Sequence, residues 1–288
     1  MKELNTELYE RTNCPLCNSS QHTVTTSQFT PFIINECSEC TMNYMSPRPT
    51  EQEMIKIYSS PQYFDGDNSF GYSDTNYKLQ EKALYLTFKK LLKKILKHKN
   101  RGSFLEIGCG NGYLAKEAQK YYKNVHCTDF SSSIEKKSQD FSDGFFLGGI
   151  ENIPQSNTYD IIVANHVIEH VYHPNTFVEN AYNILSHKGR LLLSTPKMKS
   201  FWWYLMKDKW PSYKIPEHIL YFSKDNLIHL MEKAGFKNFK TVPYLHAFPL
   251  ELILNKLNIR CPKFLANVSI WIPHTTIAVI GEKIENDI

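Results

Sequence analysis

No run of 18 apolar residues occurs anywhere in the 288-residue chain, so nothing in it reads as a membrane-spanning helix. Its first ten residues, MKELNTELYE, are polar and acidic and hold no apolar signal core, so a cytoplasmic location is expected. Charge of one sign is scarce as well. The 33 basic and 29 acidic residues leave a net +4, too little to call for a nucleic-acid partner by itself. There is no internal repeat and no low-complexity tract. What remains is the composition of an ordinary globular protein, 42% hydrophobic and 22% charged, with length for one large domain or two modest ones.

Cysteine is sparse but not scattered. Four of the seven cysteines form two matched pairs, Cys14–Cys17 and Cys37–Cys40, spaced C-x2-C-x19-C-x2-C. A two-residue gap lets both thiolates of a turn reach one ion, and two such turns close a tetrahedron. In a reducing compartment this pattern predicts a structural Zn2+ rather than disulfides. The ion would stand in for a core that about 45 residues cannot build alone. A closed four-thiolate site leaves no open position, so no catalytic role for zinc follows. The prolines of "SPRP", Pro47 and Pro49, mark the exit from a module spanning 1–48.

The segment 49–100 reads as a linker or lid. A Tyr-, Asp-, Ser- and Gly-rich stretch, a loop or broken helix over 50–80, precedes an amphipathic helix over 81–98 with a lysine-rich outer face. Such a face can touch RNA, but a packed helix with a solvated side is the plainer reading. From 101 to 288 strands and helices alternate. Strands are predicted at 103–107, 124–129, 144–147, 159–164, 190–195 and 275–283, and helices at 112–121, 131–140, 174–186 and 224–234. The last helix has Ser223 as N-cap and Gly235 as stop. This alternation implies an α/β fold with a doubly wound, mostly parallel sheet covered on both faces.

Only 12 glycines are available, yet three fall within five residues, Gly108-Cys109-Gly110-Asn111-Gly112, directly after the first of these strands. In such a sheet ligands sit beyond the carboxyl ends of the strands. The G-x-G-x-G spacing differs from the G-x-G-x-x-G turn that holds a pyrophosphate on a helix N-terminus. Glu106, two residues before it, would repel a pyrophosphate and attract an ammonium group. Asp129 ends the next strand, 17 residues past Gly112, where a carboxylate can accept hydrogen bonds from ribose hydroxyls. Phe130 can lie against a purine. An adenosine with a cationic amino-acid end and no phosphate meets these demands, and S-adenosylmethionine is such a molecule.

The motifs "LEIGCGNG", "VHCTDFS", "YDIIVANHVIEHVYHP", "ILSHKGRLLLSTP" and "PEHILYFSKDNLIHLMEKAGF" together resemble class I S-adenosylmethionine-dependent methyltransferases of the ubiquinone O-methyltransferase-like branch. The resemblance covers roughly 103–240 and implies a Rossmann-like, seven-stranded sheet. The four-cysteine zinc ribbon followed by "SPRP" is similar to the front end of a subgroup that includes sugar C-methyltransferases. By position, the resemblance implies that Glu106 and the turn of Gly108, Cys109, Gly110 and Gly112 hold the methionine end. Asp129 would bind ribose, and Phe130 and Ile150 would sandwich adenine, while the acid the family often carries for the adenine amino group is either missing or displaced to Glu151. Asn165 and His166 would face the transferred methyl.

The pair Glu217-His218 resembles an active-site pair of the sugar C-methyltransferases, which makes His218 the candidate general base; histidine titrates in the right range for that work. Glu169-His170 reads as structural hydrogen bonding. Trp202, Trp203, Trp210 and Tyr213 form either a lid or core under a long loop, and Tyr63, Tyr72 and Tyr77 either close the cofactor pocket or pack. The expected reaction is methyl transfer to an O or C atom of a small molecule, such as a sugar, a nucleotide sugar or a natural-product intermediate. Two other readings stay open: a ribosomal or transfer RNA methyltransferase with a zinc module, and a non-catalytic zinc-ribbon interaction protein on a degenerate cofactor fold.

Overall fold

Five short strands open the chain in the computed structural model, which describes residues 8–60, 77–96, 102–256, 259–265 and 268–284. They are β1 (Tyr9–Glu10), β2 (His22–Thr26), β3 (Ile34–Cys37), β4 (Asn43–Met45) and β5 (Arg48–Pro49). The strands β2, β3 and β4 make an antiparallel meander, and β1 pairs with β5. The turns around this meander carry the cysteine pairs. In both pairs the residue after the second cysteine is left-handed, Asn18 at φ 63° and Thr41 at φ 58°. Both turns close on the first cysteine's carbonyl, from Asn18 N–H at 2.8 Å and Thr41 N–H at 3.0 Å.

The rest of the chain supplies β6 (Ser103–Ile107), β7 (Asn124–Asp129), β8 (Gly144–Leu147), β9 (Tyr159–Asn165), β10 (Leu185–Pro196), β11 (Leu220–Tyr221), β12 (Phe236–Thr241), β13 (His246–Pro249), β14 (Ser269–Ile272) and β15 (Thr276–Lys283). A seven-stranded sheet runs in the order β12-β15-β10-β9-β6-β7-β8. From β10 through β9 and β6 to β8 the pairing is parallel, and β15 alone runs antiparallel to both its neighbours. The chain winds outward from β6 to β8 and then crosses to β9, so the switch point lies between β6 and β9. That places the glycine turn and the residues after β9 side by side.

Alternation along the buried strands divides the core. Ile162 and Ala164 of β9 join one hydrophobic cluster with Leu191 and Leu193, whereas Ile161 and Val163 join another with Phe104 and Leu192. Strands apolar on both faces are the mark of a sheet covered on both sides. The helix Tyr77–Ile95 covers the second cluster with Leu91, Leu92 and Ile95. The first cluster extends into the N-terminal unit through Leu16, Ile34 and Tyr44.

Accordingly, the boundary expected at residue 48 does not separate two bodies. The strand β11 pairs with β4 and becomes the fourth strand of the cysteine-bearing sheet, in the order β11-β4-β3-β2. Side chains stitch the same seam. Asn226 Nδ2 donates to the Cys40 carbonyl at 2.8 Å, Asn175 Nδ2 to the Pro15 carbonyl at 3.0 Å, and Lys233 Nζ to the Leu16 carbonyl at 3.1 Å. Lys199 Nζ lies 2.9 Å from the Glu36 carboxylate.

Other boundaries move for local reasons. The helix predicted over 174–186 is Pro174–Asn183, because β10 already begins at Leu185 and reaches its regular register through a bulge at Leu185/Arg190. The stretch 131–140 splits into Ser132–Glu135 and a 3-10 turn at Ser138–Asp140. Within 50–80 a helix, Glu51–Tyr58, is present, while Tyr63 and Tyr72 lie outside the described residues, as does the side chain of Tyr77. Among the described residues no helix is long and apolar enough to cross a membrane.

Candidate active site

The glycine turn is shaped by its own backbone. Gly108, Gly110 and Gly112 have φ of 68°, 50° and 71°, a region that L side chains occupy only under strain. Gly108 and Cys109 both donate their N–H groups to the Thr128 carbonyl at 2.9 and 3.0 Å. Gly110 N–H donates to Asp129 Oδ2 at 2.9 Å, and Ser131 N–H to Oδ1 at 3.0 Å. The turn is thus tied to the end of β7. Burial raises the Asp129 carboxyl above the usual range, although the N–H groups of Gly110, Ser131 and Phe130 pull the other way.

Two members of the turn are also fixed by packing. A Cβ on Gly112 would run into the ring of Phe141. Cys109 is buried in the second cluster beside Cys127, and its N–H is spent on Thr128. Ile150, expected against adenine, is only 3% exposed and belongs to the first core cluster. Phe130 is half-buried at the edge of the turn, and the Glu151 carboxylate accepts from Gly149 N–H at 3.2 Å.

Glu106 points inward from β6 and is 3% exposed. It accepts the Ala115 N–H, but its Oε2 has no hydrogen-bond partner. Burial, with the charge of Asp129 added, pushes this carboxyl well above the usual carboxylate range. An orphaned acid beside three left-handed glycines fits the ammonium end of S-adenosylmethionine, and Asp129 fits its ribose.

Beyond β9 the chain turns at His166, held at φ 56°. Histidine in this conformation is a strained choice, and such residues gather at functional sites. His166 N–H donates to the Ser194 carbonyl at 2.9 Å, and its Nδ1 donates to Glu169 Oε1 at 3.1 Å. Its Nε2 lies 3.5 Å from Thr276 Oγ1. Next to it, Val167 is the side chain that a Cβ on Gly108 would strike. The Asn165 side chain is engaged within the fold, for its Oδ1 accepts from Ser194 Oγ at 2.6 Å and from Tyr244 Oη at 2.8 Å.

Glu169, on the 3-10 turn Ile168–His170, is 1% exposed. Burial acts to raise its pKa, but the His166 hydrogen bond and the charges of His166, His218 and His170 outweigh it and bring the carboxyl down to about 2. His218 is 4% exposed, its Nδ1 donates to the Ser212 carbonyl at 2.8 Å, and its ring meets that of His170 edge-on at 4.8 Å. Burial, and then the nearby His170, hold its pKa well below the usual imidazole range. The Glu217 carbonyl accepts from His170 Nδ1 at 2.9 Å. Tyr244 and His246, whose rings flank His166, come from a stretch that carries no readable pattern in the sequence. Of the aromatic group, Trp210 and Tyr213 are core, and Trp203 reaches Tyr213 Oη at 2.8 Å from a helix, Phe201–Met206, with no buried residue.

The four cysteines form a second assembly. Their sulfurs all lie within 4.8 Å of one another, with Cys14–Cys40 at 3.4 Å and Cys17–Cys37 at 3.5 Å. A tetrahedron with bonds of about 2.3 Å asks for separations of roughly 3.8 Å.

Residues 78–241, more than half of the chain, match the family model of the methyltransferase domain. The chain belongs to that family. This methyltransferase is similar to malonyl-[acyl-carrier protein] O-methyltransferase of Bacillus anthracis, 30% identical over 103 residues, which are 34% of this chain and 38% of the relative. It is also similar to ubiquinone biosynthesis O-methyltransferase of Rickettsia akari, 28% identical over 36% of this chain and 46% of the relative. The chain thus spans less than half the length of either. Its fold is shared with phosphoethanolamine N-methyltransferase 2 of Haemonchus contortus in complex with S-adenosyl-L-methionine. There the TM-score is 0.57 at 15% identity, covering 84% of this chain and 63% of the other. The chain thus carries a methyltransferase domain, with a four-cysteine cluster near its N-terminus.

Proposed function

We propose that this methyltransferase acts on a hydroxyl oxygen of a small molecule and that His166 accepts the proton. The observation that carries this reading is the 3.1 Å hydrogen bond from His166 Nδ1 to the buried Glu169, beside the glycine turn. A carboxylate only accepts, so Nδ1 keeps the proton and Nε2 keeps the lone pair that a base needs. His166 is also the accessible imidazole, with a side chain 29% exposed, whereas His218 is buried. The base role expected for His218 therefore passes to His166. The similarity to O-methyltransferases supports oxygen over carbon as the acceptor.

Bound S-adenosylmethionine supplies an electrophilic methyl group on a sulfonium. Glu106 would hold the ammonium, Asp129 the ribose hydroxyls and Phe130 one face of the adenine. The fold's own contribution is alignment and exclusion of water. A sugar-linked acceptor is a narrower proposal, supported by the likeness of the four-cysteine unit to that of sugar C-methyltransferases. The four sulfurs would hold a structural zinc. One zinc per chain is expected by metal analysis, and its loss in Cys17→Ser should lower the melting temperature by more than 10 °C; a metal-free, equally stable wild type would end that assignment.

To test the reaction, labelled cofactor is offered with a panel of hydroxylated acceptors, sugars and nucleotide sugars included. The best acceptor is then used with His166→Asn, which tolerates the left-handed backbone. Turnover should fall about 10²- to 10⁴-fold, with cofactor affinity unchanged by calorimetry. Full turnover in the variant would remove His166 as the base.

A further inference from the structure

We propose that Glu169, His170 and His218 form a binding site for a divalent first-row cation, distinct from the four-cysteine cluster. One ring nitrogen of each histidine and one carboxylate oxygen of Glu169 lie within 4.8 Å of one another. They come from two segments fixed by backbone, since Ile219 N–H donates to the Glu169 carbonyl at 3.0 Å. Both imidazoles are oriented from behind. His170 Nδ1 donates to the Glu217 carbonyl at 2.9 Å, with Tyr58 Oη 3.0 Å from the same nitrogen, and His218 Nδ1 donates to the Ser212 carbonyl at 2.8 Å. A backbone carbonyl only accepts, so each ring carries its proton on Nδ1 and its lone pair on Nε2. Metal-binding histidines are held in this way, the second nitrogen donating to a carbonyl while the first is free to ligate.

The carboxylate completes the set. Glu169 is 1% exposed, its Oε1 accepts from His166, and its Oε2 is buried with no hydrogen-bond partner. A buried carboxylate oxygen without a donor costs free energy. The neighbouring imidazoles cannot supply a proton, because theirs are spent on carbonyls. One cation would satisfy the orphaned oxygen and both lone pairs together. With bonds of about 2.1 Å, neighbouring donors stand roughly 3–3.5 Å apart, a spacing that side-chain rotation brings within reach. Two imidazoles and one carboxylate suit manganese, iron, cobalt or zinc rather than a thiolate-seeking ion. The site does not depend on the acceptor being an oxygen, and its test does not use turnover.

The probe is Mn(II), which thiolates bind poorly, added to the full chain with its cysteine site loaded with zinc. Loss of the free-ion paramagnetic resonance signal counts bound ions, and spin-echo modulation reports directly bound nitrogen. One manganese per chain is expected, with ¹⁴N modulation from imidazole. Glu169→Gln and His218→Asn should each weaken binding at least tenfold, and His218→Asn should reduce the nitrogen signal. No bound manganese at millimolar ion in the wild type, or bound manganese without nitrogen modulation, would overturn the site whatever the variants do.

Discussion

Glu106 and Glu169 are the same residue in nearly the same burial, each with one oxygen that no donor reaches, and the fold drives their acidities apart. Glu106 sits where the other strong charge is Asp129, and its carboxyl is raised far above the ordinary range. Around Glu169 stand His166, His170 and His218, which bring it down to about 2 against the pull of burial. Burial alone therefore does not decide the charge of a carboxyl; the partners do. Glu106 is an acid whose charge the fold penalises. Glu169 is an anion that the protein supports through one oxygen, by way of His166.

The largest effect should come from neutralising the supported anion. Glu169→Gln keeps the shape but removes the charge that accepts the hydrogen bond from His166 Nδ1. Turnover should fall a hundredfold or more, and stability by about 1.5–3 kcal/mol, the worth of a hydrogen bond to a charged group. Single-turnover kinetics and a thermal melt measure the two. An active, fully stable variant would put the two glutamates on an equal footing.

The opposite substitution should act in the opposite direction. Glu106→Gln removes a carboxyl that the fold can bury only at a cost, protonated or ionised, so the cofactor-free protein should melt a few degrees higher than wild type. Cofactor affinity should drop at least tenfold by calorimetry. In the wild type, cofactor at a hundred times its dissociation constant adds about 2.7 kcal/mol, and this gain should largely vanish in the variant. A variant that binds the cofactor normally would detach Glu106 from the ammonium.

The difference between the two glutamates also explains what the sequence reveals. Glu106, the glycines and Asp129 lie on two consecutive strands and the turns after them, so their relation is written in short-range spacing. The cysteine pairs are likewise legible, since all four fall within residues 14–40. The Glu169 site is assembled otherwise. His218 arrives from a segment 48 residues past His170, held by a two-residue strand, β11, that no hydrophobic periodicity betrays. That strand also welds the cysteine unit to the methyltransferase domain, which is why a boundary drawn at residue 48 misses the shared sheet. Tyr244 and His246 reach His166 from the 241–274 stretch through the β13–β14 hairpin, whose pairing is long-range. Within the turn the residue types gave no means of telling Gly112, placed by Phe141, from Gly110, placed by Asp129.

The smallest effect, and the sharpest reading of Glu106, is in the pH dependence of stability. Because its pKa is higher folded than unfolded, the folded chain keeps a proton at pH values where the unfolded chain, near 4.5, has lost it. Stability is therefore full below about pH 4.5 and declines as pH rises toward the folded value. Each pH unit inside that window is worth about 1.4 kcal/mol, or a few degrees of melting temperature in a chain of this size. Asp129, raised by burial, contributes in the same sense. Other groups titrate too, so the measurement is the difference between wild type and Glu106→Gln, both without cofactor, in melts from pH 5 to 8. The variant should pull progressively ahead as pH rises. Parallel curves would mean that Glu106 is ionised in the fold much as in solution, and the contrast with Glu169 would lose its basis.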